Sequence, residues 1–262
     1  MATCQIESGV QFFARLTARA NLKNLHSRIF KDGGPFPNEI IEVYGDSSAG
    51  KTSFIMEMIA YTILPSTFQN ISINGKNASA ILIDSEHHFD LHRLVKSMQI
   101  KLKLINNIKP DEIKSIISES LKRLIICNVF NLFELKCTFI KVGSIIHDNS
   151  NIALVCFDSI QSFYWCERDF NNKKLAKDQF KYDYLKYLID QIKDYSVVLA
   201  YTRSTSFKSN QKYKRKQEIP IHYKINLIRN LGTDMTVANI QYKTNPVYTV
   251  KFRLKNCFQL NC

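Results

Sequence analysis

Proline and glycine are scarce in this chain, six and eight in 262 residues. That scarcity excludes low-complexity linkers of the Gly- or Pro-rich kind. No two of the seven cysteines form a Cys-x-x-Cys pair, so a zinc ribbon is excluded. An odd set scattered along the chain reads as reduced thiols, with Cys127 and Cys156 inside apolar runs as small core residues. No apolar run reaches the length of a bilayer span, and the opening Met1–Gly9 lacks a charged start followed by an apolar stretch. The expectation is a soluble intracellular protein with no membrane partner. Acids are also in deficit: 23 Asp and Glu face 36 Lys and Arg, a formal net charge of +13. Such a surface favours polyanions, either nucleic acid or an acidic membrane face, although solvated lysines alone give the same count.

What is present is enough apolar material, 45% of residues, for a sizeable core. Ser8 followed by Gln11, then Phe12, Phe13 and Leu16, predicts a capped helix over roughly 9–20. A loop with Gly33, Gly34, Pro35 and Pro37 leads to a short β-rich run, Ile40 to Tyr44. Strand-like and helical runs then alternate. Helices are expected over about 51–63, after Asp90, from Pro110 and from Asn131 to about Ile146, with a long amphipathic one carrying Leu175, Phe180, Tyr184, Leu185, Leu188 and Ile192. Strands are expected at Ser79–Asp84, Arg123–Val129, Ile152–Phe157 and Ser196–Tyr201. Continuous apolar strands between helices imply a mostly parallel, twisted sheet covered on both faces, an α/β fold. Beyond residue 220 the alternating runs Met235–Gln241, Val247–Leu254 and Cys257–Leu260 predict antiparallel strands finishing one edge.

The most specific motif is Gly45-Asp46-Ser47-Ser48-Ala49-Gly50-Lys51-Thr52, which fits G-x-x-x-x-G-K-[ST] between a strand and an apolar helix. Its glycines let the backbone curl so that successive amides face phosphate, and the following helix adds its positive end. Lys51 would reach the β- and γ-phosphates of ATP, and the Thr52 hydroxyl would hold Mg²⁺. Asp158 ends the apolar run Ile152–Phe157 and is the candidate second anchor for that ion, the alternative being a helix cap. Glu86 follows the run Ile81-Leu82-Ile83-Asp84-Ser85, and a glutamate just past a strand end can accept a proton from water attacking the γ-phosphate. The adjacent His87 and His88 lack a third ligand and make a poor metal site.

A phosphate loop, a strand ending I-D-S-E-H and a strand ending D-S, in that order, resemble the RecA family of recombinases. Glu7-Ser8-Gly9 with Ala14-Arg15-Leu16, His88-Phe89-Asp90 with Arg93-Leu94-Val95, and Asp158-Ser159-Ile160 through Phe163-Tyr164-Trp165 narrow the likeness to the eukaryotic recombinase paralogues, over roughly residues 5–205. The resemblance implies a RecA-like P-loop NTPase core with ATP and Mg²⁺ as ligands. The family's phosphate-loop lysine falls on Lys51, its magnesium aspartate on Asp158 and its water-activating glutamate on Glu86. It further implies a nuclear subunit in homologous-recombination repair of double-strand breaks and stalled forks, partnered with other paralogues in a hetero-oligomer and assisting recombinase loading on single-stranded DNA. Residues 1–262 are then one RecA-like domain: an N-terminal helix and loop (1–39), the nucleotide-binding core (40–205), and a basic loop with edge strands (206–262).

The chain departs from the family in three places. A γ-phosphate-sensing glutamine is usual near the end of the strand after the magnesium aspartate. Here Arg203 stands there, a phosphate-sensing candidate that donates hydrogen bonds but cannot accept them. No helical DNA-binding domain precedes Gly45, and no F-x-x-A polymerisation motif is found. These departures imply an end subunit that docks on one neighbour, with weak or partner-dependent DNA-stimulated ATP hydrolysis. Two basic segments fall where the family places its DNA loops: Arg168, Lys173, Lys174 and Lys177 in one, and Lys208, Lys212, Lys214, Arg215 and Lys216 around Tyr213 in the other. Lysines there would release counterions from single-stranded or branched DNA, and an aromatic would stack on an unpaired base; the bland alternative is a pair of solvated loops. A non-enzymatic adaptor with a vestigial P-loop is the competing function. A small-molecule kinase is disfavoured by the I-D-S-E-H strand and the lack of an arginine-rich lid.

Overall fold

The structure is a computed structural model that describes residues 8–9, 19–105, 107–170, 176–207, 219–230 and 235–253. The N-terminal helix predicted over 9–20, the strand at 257–260 and most of the second basic segment lie largely or wholly outside these residues.

Among the described residues one eight-stranded sheet forms the frame. Its strands are β1 (Ile40–Gly45), β4 (Ser79–Asp84), β5 (Leu124–Asn128), β6 (Ile152–Asp158), β7 (Val198–Ser204), β8 (Tyr223–Asn230), β9 (Met235–Tyr242) and β10 (Tyr248–Arg253). A two-strand ribbon, β2 (Thr67–Phe68) with β3 (Ile71–Ser72), stands apart from it. The order across the sheet is β10-β9-β8-β1-β7-β6-β4-β5. From β8 to β5 every neighbouring pair is parallel, while β8-β9 and β9-β10 are antiparallel.

The helices are α1 (Lys51–Ile63), α2 (Leu91–Lys103), α3 (Pro110–Leu121), α4 (Leu132–Asp148), α5 (Tyr164–Phe170) and α6 (Lys177–Ile192). Local chemistry starts several of them. The Asp90 carboxylate accepts from the amides of His92 and Arg93, and Asn131 accepts from the Glu134 amide at 2.9 Å. Pro110 opens α3 where its missing amide hydrogen costs nothing.

Period-2 alternation sorts each strand between two cores. On β4, Ala80 and Leu82 face the core built with Phe54, Leu94, Met98 and Ile117, under α1, α2 and α3. Ile81 and Ile83 face the core built with Phe139, Val142, Phe180 and Leu188, under α4 and α6. Both faces are thus covered, which is why β4 and β6 are buried along their whole lengths and read as uninterrupted apolar runs. The edge strand β5 is only half-buried.

The α/β reading and the antiparallel finish by β9 and β10 agree with this sheet. Two elements differ from expectation. β8 was hidden by Lys224 and Asn226, which alternate with buried Tyr223, Ile225 and Leu227, and it extends the parallel part of the sheet beside β1. α5 begins ahead of the first basic segment and runs into it, and it read as a loop because its residues beyond the buried Tyr164 are mostly polar.

The α4–α6 face also holds a buried charge network. Glu42, on β1, accepts from Arg203 Nε and Nη2, both at 2.9 Å, from the Tyr201 hydroxyl at 2.6 Å and from Lys181 Nζ of α6 at 3.2 Å. Burial opposes the charge on Glu42, but these donors outweigh it and hold its carboxyl down at about 2. Its folded-state value lies below its ordinary 4.5, so ionisation favours the folded chain above that value. We expect Glu42→Gln to lose about 3 kcal/mol of stability at pH 7. In urea unfolding followed against pH, the gap to the unsubstituted chain should close as pH falls from about 4.5 through about 2.

Candidate nucleotide site

The parallel strands end together. Gly45 lies opposite Ser204, and Asp84 opposite Asp158, so β1, β7, β6 and β4 deliver their carboxyl ends to one edge. The loop from Asp46 to Gly50 turns there into α1. Two backbone requirements explain its glycines. A side chain on Gly45 would put its Cβ 2.5 Å from the Leu227 carbonyl oxygen of β8. Gly50 takes φ 98°, a left-handed conformation that favours glycine. The first intrahelical bond of α1 runs from the Phe54 amide to the Gly50 carbonyl, 2.9 Å, and no side chain caps the helix start. The amides of Lys51, Thr52 and Ser53 therefore lie ahead of that bond at the positive end of the helix dipole.

Lys51, Thr52, Glu86 and Asp158 come together at this edge. Lys51 Nζ rests on loop carbonyls, 2.9 Å from Asp46 O and 3.2 Å from Gly45 O. Burial lowers its pKa, against the pull of Glu86, Asp158 and Asp46, which favour its charge. The Thr52 hydroxyl donates to Asp158 Oδ2 at 2.6 Å, and the Thr202 hydroxyl donates to Oδ1. Asp158 is 3% exposed, and desolvation pushes its carboxyl up, with Glu86 and Asp84 adding like charge.

Glu86 sits on a tightly built turn. The Asp84 carboxylate accepts from the His87 amide at 2.8 Å and the Phe89 amide at 3.2 Å, so the buried acid ending β4 shapes the turn that carries Glu86. Ser159 donates to Glu86 Oε1, and His88 Nδ1 stands 3.4 Å from Oε2. Ser85 links the two strand ends: its hydroxyl donates to the Ser159 carbonyl at 2.9 Å and accepts from the Ser159 amide at 3.0 Å. The Asp158–Ser159 peptide is cis.

The donor set suits a magnesium–nucleotide phosphate: uncapped amides, a lysine resting on carbonyls, and a hydroxyl paired with a buried carboxylate. Thr52 and Asp158 would hold the ion, and Lys51 with the loop amides the phosphates.

Arg203, read as a phosphate sensor, is placed elsewhere. Its guanidinium is bidentate on Glu42, donates to the Ser204 carbonyl at 3.2 Å and lies 4.4 Å from the Tyr44 ring centroid. Alternation along β7 turns it toward the α4–α6 face, while its neighbour Thr202 faces Asp158. Thr202, Asp84 and Ser159 were not singled out in the sequence. Thr202 could have been found by stepping one residue along that strand. Asp46 is joined to the segment after β7, where Thr205 donates to its carboxylate and the Thr205 amide to the Gly45 carbonyl at 3.2 Å. Of the basic candidates, Arg168 lies on α5; Lys173, Lys174, Lys212, Lys214, Arg215 and Lys216 lie outside the described residues.

No protein-family model matches the chain. Among curated proteins it is similar to the mouse (Mus musculus) DNA repair protein XRCC2, 28% identical over 171 residues. The match takes in 65% of this chain and spans 57% of that protein's length. The α/β, RecA-like core expected from the sequence thus agrees with the mostly parallel sheet, and the chain is similar to a DNA repair protein.

Proposed function

We propose that this chain binds ATP with Mg²⁺ at the phosphate loop and acts as a recombinase-paralogue subunit in the homologous-recombination repair of DNA breaks and stalled forks. In this reading it works in the nucleus within a hetero-oligomer of paralogues and assists recombinase loading on single-stranded DNA. The single observation that supports nucleotide binding most is the 2.6 Å hydrogen bond from Thr52 to Asp158, which joins the start of α1 to the end of β6. A loop that had lost its ligand would have no need to hold a buried carboxylate against a threonine hydroxyl at this edge. The similarity to a DNA repair protein supports the biological role.

The residues divide the work. Mg²⁺ would neutralise charge on the phosphate oxygens. Lys51 exchanges its loop carbonyls for phosphate, and Glu86, held through Ser159 and by the turn built on Asp84, orients a water. Hydrolysis is weak or depends on a partner, because the residue where the family senses γ-phosphate is Arg203, committed to Glu42. The same commitment supports the competing reading, an adaptor with a vestigial loop.

Calorimetric titration of Mg-ATP separates the two. Saturable binding by the full chain should fall at least about tenfold in Lys51→Ala, a loss of roughly 1.4 kcal/mol or more. No binding, either by the chain alone or by its assembled complex, would sink the nucleotide reading in favour of the adaptor. Thr202→Val should weaken Mg-ATP binding several-fold and leave binding of Mg²⁺-free nucleotide unchanged, because it removes a donor that favours the charged form of Asp158.

A further inference from the structure

Gln161 lies on the turn that leads from β6 into α5. The turn is pinned on both sides. The Ile160 amide donates to the Thr202 carbonyl at 3.1 Å, the Tyr164 amide to the Gln161 carbonyl at 3.0 Å, and the Ser162 hydroxyl to the Ser159 carbonyl at 3.0 Å. From this fixed backbone the Gln161 side chain reaches the end of β7, where its Oε1 accepts from the Ser204 amide at 2.7 Å. The donor there is a backbone N–H, so the atom it meets is the oxygen of the carboxamide. The nitrogen, with its two hydrogens, has no hydrogen-bond partner among the described residues. Gln161 is partly exposed, so a ligand can reach that nitrogen.

Its position is what gives the unpaired donor a use. Ser204 lies opposite Gly45, one strand spacing of about 4.8 Å away. The Gly45 carbonyl is one of the two on which Lys51 rests. On the other side, Ser159 of the same turn donates to Glu86. The carboxamide thus stands between the lysine that would hold the phosphates and the glutamate that would hold a water. Its neighbours on β7 are committed elsewhere, Arg203 to Glu42 and Thr202 to Asp158. The loop amides at the start of α1 would serve phosphates that a diphosphate also has. A donor set apart from them, beside the gap between Lys51 and Glu86, suits the phosphate that a triphosphate alone carries.

We propose that Gln161 is a specificity-determining residue of the nucleotide site: its carboxamide nitrogen donates to the terminal phosphate of a bound nucleoside triphosphate and sets the preference for triphosphate over diphosphate. The inference rests on the nucleotide-binding reading above and names the residue that tells the two ligands apart. The discriminating group comes from the turn after β6, because the guanidinium at the end of β7 belongs to Glu42.

Gln161→Glu tests this with little disturbance. The Ser204 amide keeps an acceptor, while the donor is replaced by a charge that repels phosphate. Gln161→Met removes the donor without adding charge. The full chain and both variants are titrated calorimetrically, in Mg²⁺, with adenylyl imidodiphosphate as a triphosphate analogue and with ADP. The unsubstituted chain should prefer the triphosphate analogue. The ratio of the two affinities should fall at least about tenfold in Gln161→Glu and several-fold in Gln161→Met, with the loss on the triphosphate side. The melting temperature of Gln161→Glu should be unchanged. A residue that merely props the end of β7 would move both affinities together. Equal changes for the two nucleotides in both variants, or no change in either, would overturn the role of Gln161 while leaving the nucleotide site standing. No binding of either nucleotide, by the chain or by its assembled complex, would overturn the nucleotide reading and the role of Gln161 with it.

Discussion

A carboxylate taken out of water at the end of a strand is the constraint around which the site is arranged. Asp158 is 3% exposed, and burial pushes its carboxyl pKa up. Two hydroxyls oppose that cost, Thr52 from α1 and Thr202 from β7. Each comes from a different element, so the position of one acid defines how the phosphate loop, β6 and β7 sit relative to one another. Asp84, directly opposite on β4, spends its own carboxylate on the turn that carries Glu86.

The opposite face of the sheet is organised by a second buried charge. Glu42 lies on the strand that leads into the phosphate loop, and its partners come from β7 and α6. Neighbouring positions on β7 thus serve different faces: Thr202 addresses Asp158, and Arg203 addresses Glu42. This pairing accounts for the arginine at the end of β7. Its guanidinium matches a carboxylate in two parallel hydrogen bonds and lies over Tyr44, which leaves it a frame-holding role at the strand end.

Much of the core was legible in the sequence because its signals are local. Continuous apolar runs marked β4, β6 and β7, since strands buried on both faces tolerate few polar side chains. Asp90, Asn131 and Pro110 marked helix starts because capping is decided by a few consecutive residues. Lys51, Thr52, Asp158 and Glu86 were legible because a loop and two strand ends must bring these residue types to one edge. β8 was not, because Lys224 and Asn226 alternate with its buried residues and break its apolar run, and its place is set by pairing with β1 on one side and β9 on the other. The α5 turn was not, because its buried Tyr164 is recognisable only when Phe180 and Phe207 are packed against it.

By itself the sequence determined the class of fold and that the loop at Gly45–Thr52 and the acids ending β4 and β6 meet at one sheet edge. These follow from periodicity and from the short-range geometry of a strand, a turn and a helix start. Only the tertiary structure decided where Arg203 points, that Thr202 completes the Asp158 site, and that the Gln161 side chain reaches the Ser204 amide. The physical reason is the same in each case. A side chain's role depends on which groups share its surroundings, and those groups lie up to 161 positions away along the chain, as Glu42 does from Arg203.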